Sequence, residues 1–211
     1  FTRKITKNYK STAFAFIIEH KKVSNKTALQ IFTNYGPLAF LPVSDNKTSI
    51  VFSYIGKEKE NDKILSLFKK YNYFYKVTKI HNIEKFDLDF SFLRNYTYRN
   101  ILAFGDLMHR IHPLAGQGFN MTIRDIINLL EIIDNKTSLG LPIDISVAEE
   151  FQNRNKHFNY TYGKIIDTIY EFFKLDSKLN NSISIPIFNF LNKNQTFKKY
   201  SNIFSDRGLN L

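Results

Sequence analysis

The chain has 211 residues and a formal charge of +11, from 30 Lys and Arg against 19 Asp and Glu, but its lysines are scattered and form no dense block, so nucleic acid is not an expected partner. Hydrophobic residues make up 43%, enough for one sizeable core or parts of two, which excludes a disordered tail. Cysteine is absent, which excludes disulfides and thiolate metal sites, and no apolar run approaches the roughly 18 to 20 residues that cross a bilayer.

Ser11–His20 alternates apolar and other residues before turning continuously apolar, the pattern of a strand. Residues 28–33 and 37–43 predict two more, separated by the Asn34-Tyr35-Gly36 turn. Asp45-Asn46-Lys47 turns the chain into a fourth strand over 48–55, and together these form an antiparallel sheet. Ile64, Leu65, Leu67 and Phe68 share a helical face over 61–71, and residues 73–80 return as a strand. The alternation of Phe86-Asp87-Leu88-Asp89-Phe90 places 86–92 in the same sheet.

Near Asn100 the pattern changes from strands to long helices, so the chain is expected to divide into domains over 1–99 and 100–211. Asn100–Phe104 reads as a short buried strand delivering Gly105-Asp106 to its C-terminal end, where ligands of open α/β sheets gather. Pro113 stiffens the connection, and Gly116-Gln117-Gly118 lets backbone N–H groups come close to a ligand. A helix follows over 119–133, ending around Asp134-Asn135. Such a helix start carries partial positive charge and unpaired donors, suited to an electron-rich ring edge or an anion. Ser146, with Glu149 three positions on, has the form of a capping box for a second long helix from Val147 to about Leu175. Residues 177–185 read as a loop, and Pro186 starts a short helix ahead of Lys198-Lys199-Tyr200.

His109 and His112 near Asp106 lack a third convergent ligand, so no metal site is expected, and His112 before Pro113 is read as steadying the loop. No G-x-S-x-G occurs, and no catalytic residue stands out. Taken alone, Asp106 also suits a turn or a helix cap, and Gly116-Gln117-Gly118 a helix entry without a ligand. Arg94 and Arg99 receive no role.

The order Gly105-Asp106, His112-Pro113, Gly116-Gln117-Gly118 and Asn120 resembles the second FAD-binding motif of the class A flavoprotein aromatic monooxygenases. Within them, Gln30-Ile31-Phe32-Thr33 and Gly36-Pro37-Leu38-Ala39-Phe40-Leu41-Pro42 resemble the ubiquinone-biosynthesis hydroxylases. Arg124-Asp125, Phe151 with Arg154, Ile166-Asp167 and Arg207-Gly208-Leu209 follow in the same order. The resemblance implies an α/β protein, α+β in this chain, in which an antiparallel substrate-domain sheet over 1–99 precedes the returning strand and helices of an FAD-binding, Rossmann-like domain over 100–211. The family's GxGxxG is not found in these residues, and the chain opens on Phe1, as a C-terminal half of a longer enzyme would.

The resemblance further implies that Asp106 accepts hydrogen bonds from the ribityl hydroxyls of FAD. Pro113 would lie beside the flavin ring, the N–H groups of Gly116, Gln117, Gly118 and Phe119 would face its pyrimidine edge, and Asn120 would bond the ring edge. Leu107-Met108 and Thr122 depart from the family's small residues there. Leu38, Phe40 and Pro42 share one strand face and are candidates for an apolar substrate pocket, with sheet core as the alternative. The implied activity is hydroxylation of a polyprenyl phenol with molecular oxygen, FAD and NAD(P)H as reductant; this chain alone is expected to be inactive and to bind FAD weakly or not at all. Cytoplasmic placement, with peripheral contact at the inner membrane and with other ubiquinone-biosynthesis proteins, accords with it. A non-catalytic remnant or a basic interaction module at a membrane surface is the competing reading.

Overall fold

The computed structural model describes residues 1, 3–56, 60–179, 183, 184 and 186; the expected helix beyond Pro186, the Lys198–Tyr200 stretch and Arg207–Leu209 lie outside them. Two compact units divide the chain: Asn8–Leu88, and Phe1–Lys7 together with the chain from Asp89 onward.

In the first unit four antiparallel strands lie in the order β2 (Leu29–Thr33), β3 (Gly36–Ser44), β4 (Lys47–Tyr54) and β1 (Lys4–His20), with β5 (Val77–Ile80) paired to the end of β1. The period of two puts alternate residues on opposite faces, and the register turns that into rows. Phe14, Phe52 and Leu38 form one row, Phe16, Ile50 and Phe40 the next. Helix α1 (Asn61–Tyr71) covers these rows with Ile64, Leu67 and Phe68, and Phe16 meets Phe68 edge-on with centroids 5.3 Å apart. Asp62 in the first turn and Lys69 and Lys70 in the last complement the dipole of α1.

The sheet and α1 agree with the sequence expectation, with two differences. β1 begins at Lys4 rather than Ser11, because residues 4–10 are polar and carry little apolar alternation. β5 begins at Val77 rather than Tyr73, because the Asn72 side chain turns the chain locally: its Nδ2 donates to the Tyr75 carbonyl at 2.9 Å and its Oδ1 accepts from the Tyr75 N–H at 3.0 Å.

In the second unit the end of β6 (Glu84–Leu93) pairs with β9 (His109–Arg110), Ser91 opposite Arg110 and Phe92 opposite His109. That pairing draws the residues from Asp89 into the helical unit, so the division falls before residue 99. Instead of one buried strand over 100–104, the chain forms a small antiparallel hairpin, β7 (Thr97–Tyr98) with β8 (Ile101–Leu102), turned at Arg99 with φ +51°. The left-handed Arg99 reverses the chain locally and leaves Ile101 exposed, while Ala103 reaches the core.

Two long helices complete this unit, α2 (Gln117–Ser138) and α3 (Ile145–Lys178). α2 runs past Asp134-Asn135 and stops where Gly140 turns left-handed, with Gly140 N–H donating to the Thr137 carbonyl and Leu141 N–H to the Lys136 carbonyl. The N-cap of α3 is Asp144, not Ser146. Its Oδ1 accepts from the Ser146 N–H at 2.9 Å and the Ser146 hydroxyl at 2.6 Å, contacts that hold its pKa below the ordinary carboxylate value. Leu93, Tyr96, Ala103, Met108, Ile132, Val147 and Phe151 form the core around the root of these helices.

Candidate functional site

The segment singled out by sequence occupies the turns between β8 and α2. Gly105 turns left-handed at φ +58° and opens a 3-10 turn over Gly105–Leu107, closed by Met108 N–H donating to the Gly105 carbonyl at 2.9 Å. The turn sends Met108 into the core and leaves Asp106 and Leu107 at the surface. No side chain caps this turn, and Asp106 presents a free carboxylate among the described residues.

His109 follows on β9 with its ring fully inside the protein. Its Nε2 lies 2.6 Å from Asp125 Oδ2 on α2, and Asp125 Oδ1 accepts from Asn159 Nδ2 on α3 at 2.9 Å. All three side chains are buried. The network therefore ties the loop to both helices. Two backbone approaches add to it: a Cβ on Gly105 would stand 4.0 Å from Thr122 Cγ2, and one on Gly118 would stand 3.7 Å from Ile111 Cγ1. Of the departures noted in the sequence, Met108 is buried in the core and Thr122 is half-buried beside Gly105, whereas Leu107 is exposed.

Pro113, at φ −70°, leads into a second 3-10 turn, Leu114–Gly116, and Gly116 enters α2 left-handed at φ +68°. A Cβ on Gly116 would meet nothing within 4 Å, so glycine answers to backbone conformation there, an L-residue costing about 1–2 kcal/mol. No side chain caps α2, which leaves first-turn N–H groups for an external acceptor. Phe119 is 72% exposed and Asn120 half-buried, whereas the Gln117 side chain turns inward and accepts from the Tyr162 hydroxyl at 2.5 Å. The Gln117 side chain is thus committed to the interior, which leaves only its backbone for a ligand.

His112 is fully buried and stacks on Tyr170 with centroids 3.9 Å apart. Burial pushes its pKa down to about 3, so the ring is neutral near neutral pH. Sequence reasoning assigned loop support to His112 alone and missed Asn159, Tyr162 and Tyr170. The signal was present in α3: Asn155, Asn159, Tyr162, Ile166 and Tyr170 recur at helical spacing and are all buried, a partly polar stripe facing inward. Among the described residues no three metal-ligating side chains converge.

A free carboxylate on a left-handed glycine turn, beside an uncapped helix start entered through a second left-handed glycine, is a donor and acceptor set that fits a flavin. A family model described as FAD binding domain matches residues 58–136, which include both turns and most of α2. The chain is similar in sequence to hydroxylases of ubiquinone biosynthesis. Ubiquinone hydroxylase UbiL of Rhodospirillum rubrum is 24% identical over 185 residues, covering 81% of this chain and 42% of that protein. The 3-demethoxyubiquinol 3-hydroxylase of Escherichia coli is 29% identical over 150 residues, covering 67% of this chain and 38% of that protein. Among solved structures, p-nitrophenol 4-monooxygenase PnpA from Pseudomonas putida shares the fold with a TM-score of 0.75 at 9% identity, over 99% of this chain and 55% of that one. The chain thus spans less than half the length of these two hydroxylases.

Of the residues expected in a monooxygenase substrate pocket, Leu38 and Phe40 are fully buried beneath α1 and Pro42 is half-buried near the strand end. The amphipathic face of α1 needs an apolar partner, and the Leu38 and Phe40 face of β3 supplies it, so these two are sheet core. The opposite face is the open one, with Ala39, Val51 and Ala15 in one row and Leu41, Ser49 and Ile17 in the next, all half-buried or exposed.

Proposed function

We propose that the chain forms the flavin-ring and substrate-side part of an FAD-dependent monooxygenase that hydroxylates the ring of a polyprenyl phenol in ubiquinone biosynthesis. The observation that carries this reading is the exposed Asp106 carboxylate on the Gly105 turn together with the uncapped, glycine-entered start of α2. When bound, FAD reduced by NAD(P)H supplies the oxygen-activating chemistry. Asp106 accepts hydrogen bonds from polyol hydroxyls, and the first-turn N–H groups of α2 stabilise negative charge at the ring edge. The His109, Asp125 and Asn159 network fixes where those donors point. His112, held neutral by burial, adds no charge to the loop. The half-open sheet face of Ala39, Leu41, Val51 and Ile17 offers apolar surface to a prenylated ring. Peripheral contact with an anionic membrane, where such a substrate resides, accords with the charge of +11.

The test is a titration of FAD fluorescence with the purified chain. Wild type is expected to quench it weakly, and Asp106→Ala to bind about 10- to 100-fold more weakly, the loss of charged hydrogen bonds of roughly 1.5–3 kcal/mol. Because Asp106 is exposed, the melting temperature should not move. Equal affinity of the two proteins would remove Asp106 from the site.

A further inference from the structure

The second unit contains a cavity of about 470 Å3 whose lining includes Arg3, Arg94, Asn95, Lys156, His157 and Tyr160. Among the described residues, none that line it belongs to the Gly105–Asn120 segment, and none is acidic. Elsewhere on the same unit, several cations are matched. Lys7 sits 2.8 Å from Asp167 and 2.9 Å from Glu171, Arg154 2.7 Å from Glu131, Arg110 3.2 Å from Asp89 and Lys164 3.3 Å from Asp167. Arg3, Arg94 and Lys156 have no such partner among the described residues. Three like charges gathered around one concavity repel one another, and an anion placed between them would relieve that repulsion. Arg3 and Asn95 also line an adjoining cavity with Phe1, Thr97 and Tyr98, so the cationic surface continues into a groove with aromatic walls.

We propose that this cavity is a binding site for a phosphate-bearing ligand, its phosphate or pyrophosphate held by Arg3, Arg94 and Lys156 with Asn95 as a neutral donor. Two guanidinium groups and an ammonium match the several acceptor oxygens of such a group, and the volume suits a small ligand more than a bare ion. This goes beyond the flavin reading and depends on none of its residues. Two sources share the chemistry, a soluble nucleotide and an anionic lipid headgroup.

The experiment is calorimetric titration of inorganic pyrophosphate into the purified chain without flavin, beside Arg94→Ala/Lys156→Ala. Wild type is expected to bind, and the double variant to bind at least about tenfold more weakly. Its melting temperature should be unchanged, since Arg94 is exposed and Lys156 only half-buried. Arg3→Ala, made separately, should weaken binding in the same sense. No heat from wild type at millimolar pyrophosphate, or equal affinity in the double variant, would overturn the proposal. Competition then identifies the source: displacement by ADP supports a soluble nucleotide, displacement by phosphatidylglycerol vesicles supports a headgroup, and displacement by neither counts against the site. Since no flavin is present, failure here leaves the Asp106 titration standing, and failure there leaves this one standing.

Discussion

Asp125→Ala is expected to lower the unfolding free energy by about 2–6 kcal/mol, about 1–3 kcal/mol for each of the two buried donors it would leave unsatisfied. Both carboxylate oxygens are in use, Oδ2 toward His109 Nε2 and Oδ1 toward Asn159 Nδ2, and all three side chains are buried. Truncation would strand an imidazole N–H and an amide N–H in the interior at once. It would also remove the polar tie of His109 to both helices, leaving the His112–Tyr170 stack to hold the loop, so FAD quenching should weaken along with stability. Asp125→Asn, which keeps the shape and one acceptor, should fall between the variant and wild type. Urea denaturation of the three proteins decides the matter. An Asp125→Ala protein within about 1 kcal/mol of wild type would mean that the network is worth no more than an ordinary hydrogen bond.

Gly36→Ala is expected to cost about 3 kcal/mol or more, for a different reason. The residue sits at φ +116°, and a Cβ there would lie 2.0 Å from the Ser53 carbonyl oxygen. The obstructing atom is backbone in β4, so no rotamer change relieves the clash, and the conformational strain adds to it. The β2 to β3 turn has little slack. Thr33 Oγ1 donates to the Gly36 carbonyl at 2.7 Å, and Ile55 N–H donates to the Tyr35 carbonyl at 2.7 Å. Displacing Gly36 would therefore pull on both β2 and β4. Thermal unfolding followed by circular dichroism should show the loss, and hydrogen exchange should place it in residues 29–54; a melting temperature equal to wild type would refute it.

The difference between what could and could not be read from the residues follows the range of the forces involved. The Gly105 and Gly116 turns were legible because their determinants lie within a few positions: a glycine, a proline and the start of an apolar helical period. α1 was legible for the same reason. The stop of α2 was placed too early because Asp134-Asn135 resembles an ending, whereas Gly140 supplies the left-handed residue that the hydrogen bonds of the last turn require. Asp144 was overlooked because Ser146 and Glu149 fit the capping pattern equally well on paper. Which face of β3 would be core was left open by alternation alone, and the position of α1 settles it. The His109, Asp125 and Asn159 network was beyond sequence reach, since its members lie 16 and 34 positions apart and meet only after α2 and α3 pack.

The strand β1 begins among the residues of one unit and continues into the other, and β6 returns the chain the same way. Translation meets these units in an uneven order. Strands β1 to β5 and their covering helix have all been synthesised once Leu88 leaves the ribosome, so that nucleus can close over short loops. Lys7, made earlier still, finds its partner Asp167 only 160 positions later. Residues Phe1–Lys7 are thus made before the sheet and settle after it. Until then they are a tether waiting for α3, and the interval is when a chaperone has most to offer this chain.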